Sequence, residues 1–142
     1  MNQLEFFPGD AFLASDSPNG KFAAFFEDEG KTGYFYAVDL MKQVDDSETA
    51  ILDALHVYNV QDVVDGDRAS RAVIVWDSEG VKCALLINGY AHAAFDFAWR
   101  RGYCRKNYPT FPDNPDKSWI TSDHTWSDEA IAWLSRQGDE IV

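Results

Sequence analysis

Residues 71–97 read as three strands joined by two tight turns, and that run constrains the fold more than any other feature of the chain. Ala72-Val73-Ile74-Val75-Trp76 is β-branched and aromatic. Asp77-Ser78-Glu79-Gly80 is turn chemistry, with Gly80 suited to positive φ at the end of a three-residue loop. Residues 81–87 form the second strand. Asn88-Gly89 then supplies the two positive-φ positions of a type I′ turn, and a third strand from Tyr90 to about Phe97 completes an antiparallel meander. The turns predict a register with Ile87 opposite Tyr90, Leu85 opposite His92, Cys83 opposite Ala94 and Val81 opposite Asp96. Across the first turn, Val75 faces Cys83 and Val73 faces Leu85. One sheet face then carries Val73, Val75, Val81, Cys83, Leu85 and Ile87; the other carries Ala72, Ile74, Trp76, Ala84, Leu86, Ala91, Ala93 and Phe95. Both are apolar, so both are expected to be covered, the smaller residues by a closely packed helix or chain segment.

A second hairpin pairs residues 21–26 with 33–38 around the turn at 27–32. Ser17-Pro18-Asn19-Gly20 implies one more strand across 11–15. Residues 51–60 (ILDALHVYNV) have apolar spacing that a helix allows, but Val57, Tyr58 and Val60 prefer a strand, and strand is the reading adopted. Pro109, Pro112 and Pro115 suggest an extended surface connection over 107–118. Ser127 is placed to cap a helix over 127–137, with Asp128 and Glu129 in its first turn, Arg136 in its last and Gly138 beyond its end. Its stripe of Ala130, Ile131, Trp133 and Leu134 should dock on the sheet. The expectation is an α+β chain, mostly antiparallel sheet, forming one domain over 1–142.

The net charge of −12 narrows the function classes, because a field of that sign repels phosphate and anionic lipid. Nucleic acid and membrane surfaces are therefore not expected partners. The charge gives plain solubility or attraction to a basic partner. No apolar run approaches a membrane span, the first residues lack a secretory leader, and Cys83 and Cys104 are read as reduced thiols, so the expected compartment is the cytoplasm.

Chemistry-bearing motifs are sparse. Residues 99–108 hold Trp99, Arg100, Arg101, Tyr103, Arg105 and Lys106, four of the chain's twelve basic residues interleaved with aromatics. Such a segment can line a pocket for a carboxylate or phosphate, or pair internally with the chain's own carboxylates. Arg101 and Arg105 flank Cys104 and would depress its thiol, and His92 and Asp96 can be imagined beside it, yet a structural Cys and a hydrogen-bonded His are the favoured reading. His56, His92 and His124 lack ligand spacing, and Asp62-Val63-Val64-Asp65-Gly66-Asp67 lacks the alternation of a calcium loop, so neither a metal nor a cofactor is expected. Trp119, Trp126 and Trp133 are assigned to packing, with an exposed one available as an anchor for a partner.

Four stretches, FFEDEGKTGYFYAVD, ILDALHVYNV, VIVWDSEGVKCALLINGYAHAAFDF and RRGYCRKNYP, together resemble a family of bacterial proteins known as a domain of unknown function, across roughly residues 20–112. The resemblance implies a bacterial, cytoplasmic protein and transfers no catalytic residue. The leading functional expectation is a non-enzymatic, acidic protein-binding domain, such as an immunity-type inhibitor of a basic bacterial toxin. Its contact surface would be Glu27, Asp28, Glu29, Asp62, Asp65 and Asp67. The alternative is a binder of small anions, or an enzyme, with its pocket around residues 99–108.

Overall fold

The computed structural model describes residues 2–41, 51–64, 66–109 and 119–134. Its strands are β1 (Asn2–Phe6), β2 (Ala11–Asp16), β3 (Phe22–Asp28), β4 (Thr32–Asp39), β5 (Ile51–Asn59), β6 (Ser70–Trp76), β7 (Lys82–Ile87), β8 (Tyr90–Asp96) and β9 (Arg101–Cys104). They form two antiparallel sheets, of order β1-β6-β7-β8-β9 and β2-β3-β4-β5. A short helical turn, Asp128–Ile131, follows near the C-terminus, so the class is α+β as expected. The meander, the N-terminal hairpin, the strand ahead of Pro18 and the strand over ILDALHVYN all stand where the residues place them. Asn88 and Gly89 have φ of 53° and 82°, the left-handed pair that the type I′ turn requires.

The expected register of the meander is wrong by one residue in two places. At the first turn, the Asp77 carboxylate accepts hydrogen bonds from the Val81 and Lys82 amides, and Asp77 N–H donates to the Lys82 carbonyl at 2.9 Å. Val81 is thereby drawn into the loop, and Val75 pairs with Ala84 and Ile74 with Leu85. In the second hairpin a bulge after Ala91 leaves His92 as the extra residue, and Leu85 faces Ala93. One residue of slip reverses a strand's faces. Ala72, Ile74 and Trp76 therefore share the inner face with Cys83, Leu85 and Ile87, while Val73, Val75, Ala84 and Leu86 point outward.

The inner faces of the two sheets meet in one core. Ala72, Ile74, Leu85, Ala93 and Phe95 pack against Leu13, Phe26, Phe35, Ala37, Leu55 and Val57, with the Phe35 and Phe95 rings stacked at 5.0 Å. Phe26, Phe35, Leu55, Ile74 and Leu85 are fully buried, each contributing about 1.5–3 kcal/mol. On the outer face of the five-stranded sheet, Trp133 covers Ala84 and Ala94 with Ile131 and Leu134 beside it. Ser127 holds the N-cap position with extended backbone but makes no side-chain capping bond, a departure from its expected role; its carbonyl accepts the Ala130 amide instead. The expected continuation of this helix over 135–137 and most of the proline-containing connection, residues 110–118, lie outside the described residues.

β1 and β9 carry no strand signal in the sequence. Arg100, at φ 58°, turns the chain back after β8, and the Asp96 carboxylate accepts the Ala98 and Trp99 amides, which lays β9 against β8. The outer edge of β9 is bridged by Ile120 and Thr125, and the His56 amide of β5 donates to the Tyr108 carbonyl at 2.8 Å, so neighbouring segments cover both edges. Beneath them the fully buried Asp53 carboxylate accepts from Trp119 Nε1 at 2.8 Å and from His124 Nε2 at 2.9 Å. His124 Nδ1 faces the Pro109 carbonyl. The ring is thus bracketed by the Asp53 carboxyl group at one nitrogen and the Pro109 carbonyl at the other.

Candidate functional site

The strand at Arg101–Cys104 divides the basic segment that the sequence presents as one patch. Arg101 and Tyr103 project together near the helical turn, where the Arg101 guanidinium lies 4.6 Å from the Tyr103 ring centroid and 3.6 Å from the Asp123 carboxylate. Trp99, 73% exposed, lines the same shallow pocket as Arg101 and Tyr103, with Lys82 and Glu129 beside them, and Arg100 occupies the turn. Gly102 and Cys104 point inward and are buried. Arg105 and Lys106, past the end of β9, reach a different place.

That place is a cleft of about 450 Å³ at the end of the core where the two sheets open. Its walls are Phe6 at the end of β1, Val57 and Tyr58 of β5 and Ile87 of β7; Tyr90, His92, Arg105 and Lys106 line it as well, and so does the carboxylate-bearing Asp62 after β5. The bulge in β8 builds the cationic side. Arg105 lies across from it, with its amide directed to the His92 carbonyl and its Nε donating to the Ala91 carbonyl at 3.0 Å. The guanidinium packs 4.5 Å from the Tyr90 ring centroid and 3.9 Å from that of Trp126. Among the described residues it has no carboxylate partner, so the expected internal pairing of the cations applies to Arg101 alone. Burial, and then Arg105 and Lys106 beside it, lower the pKa of His92, so the ring is neutral at pH 7.

The acidic residues chosen from the sequence separate as well. Asp28 does not belong to the surface: it is 3% exposed, and its carboxylate accepts from the Gly9 and Gly30 amides and the Tyr58 hydroxyl. Glu29 accepts from the Thr32 hydroxyl and amide, bonds that lower its pKa and fold it onto its own turn. Glu27 is half-buried on the sheet, Asp62 and Asp67 are exposed, and Asp65 lies outside the described residues. The β3–β4 turn does come beside the end of β5, where the Val60 amide donates to the Lys31 carbonyl, so Glu29 and Asp62 belong to the same end of the molecule.

No nucleophile is assembled around Cys104. Burial raises its thiol pKa, opposite to the depression its arginine neighbours suggest, and its sulfur contacts the Tyr108 backbone. Among the described residues no three His, Cys, Asp or Glu side chains are grouped to hold a metal, and no helix is long and apolar enough to cross a membrane. Tyr90 and His92 complete the cleft's cationic side and Trp126 packs on Arg105; neither Tyr90 nor Trp126, both distant from Arg105 along the chain, was marked by the sequence as its neighbour. The Asp53–His124 clamp was missed too, although Asp53 alternates with Leu55 and Val57 on the inward face of β5.

A protein-family model described as an uncharacterized protein conserved in bacteria (DUF2251) matches residues 6–135, a longer stretch than the sequence runs alone imply. The chain is also similar to an uncharacterized protein of Haemophilus influenzae, 43% identical over 114 residues. That match takes in 80% of this chain and 66% of the relative, just under two thirds of its length. No solved structure matches.

Proposed function

The chain belongs to the bacterial DUF2251 family, and we propose that it is a ligand-binding protein whose cleft takes an organic anion with an apolar body. The observation that carries this reading is the state of Arg105. In a chain with 24 acidic residues, its guanidinium is held by two rings and a carbonyl and pairs with no carboxylate among the described residues. Those contacts orient the group without neutralising it, so its charge is available to a carboxylate or phosphate at the cleft rim. Lys106 adds a second cation, and Phe6, Val57 and Ile87 offer the apolar wall for the rest of the molecule. The inhibitor reading draws less from its proposed loops, since Asp28 is buried and Glu29 is spent on its own turn.

Thermal unfolding against a panel of carboxylate- and phosphate-bearing metabolites tests the proposal. A cognate anion at about 100 times its Kd should stabilise the protein by about 2.7 kcal/mol. Arg105→Ala should remove that gain, beyond the lower unliganded melting temperature expected from its lost ring and carbonyl contacts, and Lys106→Ala should reduce it. Binding should also strengthen as pH falls. An anion beside His92 offsets the two cations that disfavour its protonation, so binding takes up a proton below the ordinary histidine value of about 6.5. A ligand whose gain survives Arg105→Ala would overturn this assignment.

A further inference from the structure

The outward face of the four-stranded sheet carries an unbroken line of rings. Phe12 lies 5.7 Å from Phe25, Phe25 is stacked at 4.5 Å on Tyr36, and Tyr36 is 5.8 Å from Tyr34. Tyr34 meets His56 at 5.3 Å, and His56 meets Tyr108 at 5.6 Å. The two ends of the line are open, with Phe12 59% and Tyr108 57% exposed, while Phe25, Tyr34 and Tyr36 are half-buried and His56 is buried. A sheet face turned to solvent ordinarily alternates polar residues outward, and aromatic area of this extent marks a contact surface. The charge on this face has one sign: the four strands contain no Lys or Arg. Glu27 sits directly across from Phe12 on one side and Tyr34 on the other, and Asp16 lies at the far end of β2. Burial, and after it the nearby carboxylates Glu27 and Glu29, raise the Tyr36 hydroxyl pKa, so the ring surface lies in a negative local field.

We propose that this face docks an extended, basic segment of a partner protein, laying the aliphatic stems of its Arg or Lys side chains along Phe25, Tyr34 and Tyr36 and pairing a charged head with Glu27. The apolar ring surface suits the aliphatic stems of Arg and Lys, and the Glu27 carboxylate, on strands without Lys or Arg, is complementary to their charged heads. A second copy of this chain is a poorer fit, because two molecules at −12 each repel one another. Nucleic acid is disfavoured for the same reason. This surface is separate from the cleft, and neither assignment depends on the other.

The test is titration of the full, isotope-labelled chain with an eight-residue peptide of alternating arginine and serine, followed by NMR and calorimetry. Shifts should concentrate on Phe12, Phe25, Tyr34 and Tyr36. The double variant Phe25→Ser/Tyr36→Ser, which leaves the net charge unaltered, should weaken binding about tenfold through loss of two ring contacts. Glu79→Gln/Asp67→Asn, which removes two exposed charges elsewhere, should change it less than about twofold, as screened surface charges do. Glu27→Lys serves as an independent probe should the double variant not fold, and it should abolish binding. Shifts spread over the acidic loops, or affinity that ignores both face variants, would show that the peptide senses only net charge and would overturn the proposal. A dimer in sedimentation equilibrium that dissolves on Phe12→Ser would overturn it in favour of a second copy.

Discussion

At the scale of single residues, the molecule treats its charges in two opposite ways. Asp53 and His124 are both fully buried, and each satisfies the other. Asp53 also accepts from Trp119 and from the Ala54 amide, and the other ring nitrogen of His124 faces the Pro109 carbonyl. Removing Asp53 leaves the ring nitrogens of both His124 and Trp119 without their partner in the core, and breaking a buried pair of this kind typically costs about 3–5 kcal/mol. Asp53→Ala should therefore lower unfolding free energy by about that amount in urea titration, while Asp53→Asn, which keeps an acceptor oxygen for Trp119, should cost less. A result below about 1 kcal/mol for Asp53→Ala would mean the pair does not close this edge of the fold. Arg105 is the contrary case, a cation oriented at a rim by two rings and a carbonyl, with no carboxylate partner among the described residues. One arrangement serves the fold and the other is available to a ligand.

At the scale of elements, the helical turn shows how a small interface is made. Trp133 lies over Ala84 and Ala94, and its indole N–H bonds the Ala130 carbonyl of its own turn, so the ring needs no polar partner from the sheet. Trp133→Ala should destabilise the chain by about 3–5 kcal/mol, the usual cost of truncating a buried aromatic. It should also raise hydrogen exchange at the Ala130 and Leu134 amides before any in β7, which hydrogen exchange with mass spectrometry can resolve. Equal loss of protection in turn and strands would refute docking as a separable contribution. What was legible in these elements follows the same physics. The turns at Gly80 and Asn88-Gly89 were readable because positive φ selects those residue types. The register was not, because Asp77's bonds to two amides and the bulge at His92 are choices among near-equal pairings that no residue type dictates. β9 was unreadable since Arg101-Gly102-Tyr103-Cys104 has no apolar alternation, and its pairing depends on Asp96 holding the preceding turn. Arg105 and Lys106 could be picked out by composition, but their separation from Arg101 could not.

At the scale of the whole molecule, the field of −12 acts on the two proposed ligands in opposite directions. A small anion approaching Arg105 must cross a region repelled by distant carboxylates and is attracted only over the last few ångströms by Arg105 and Lys106. A basic segment approaching the aromatic face is drawn in by the entire charge distribution. Salt separates near from far, because the Debye length falls from about 30 Å at 0.01 M to about 8 Å at 0.15 M. Over that range the arginine–serine peptide should lose about tenfold or more in affinity, as its long-range attraction is screened. The anion should change by less than about threefold, because screening weakens the distant repulsion along with the near attraction. Calorimetry at the two ionic strengths decides it. An anion whose affinity falls as steeply as the peptide's would be held by diffuse surface charge, and the ring-held guanidinium of Arg105 would then have no special part in binding it.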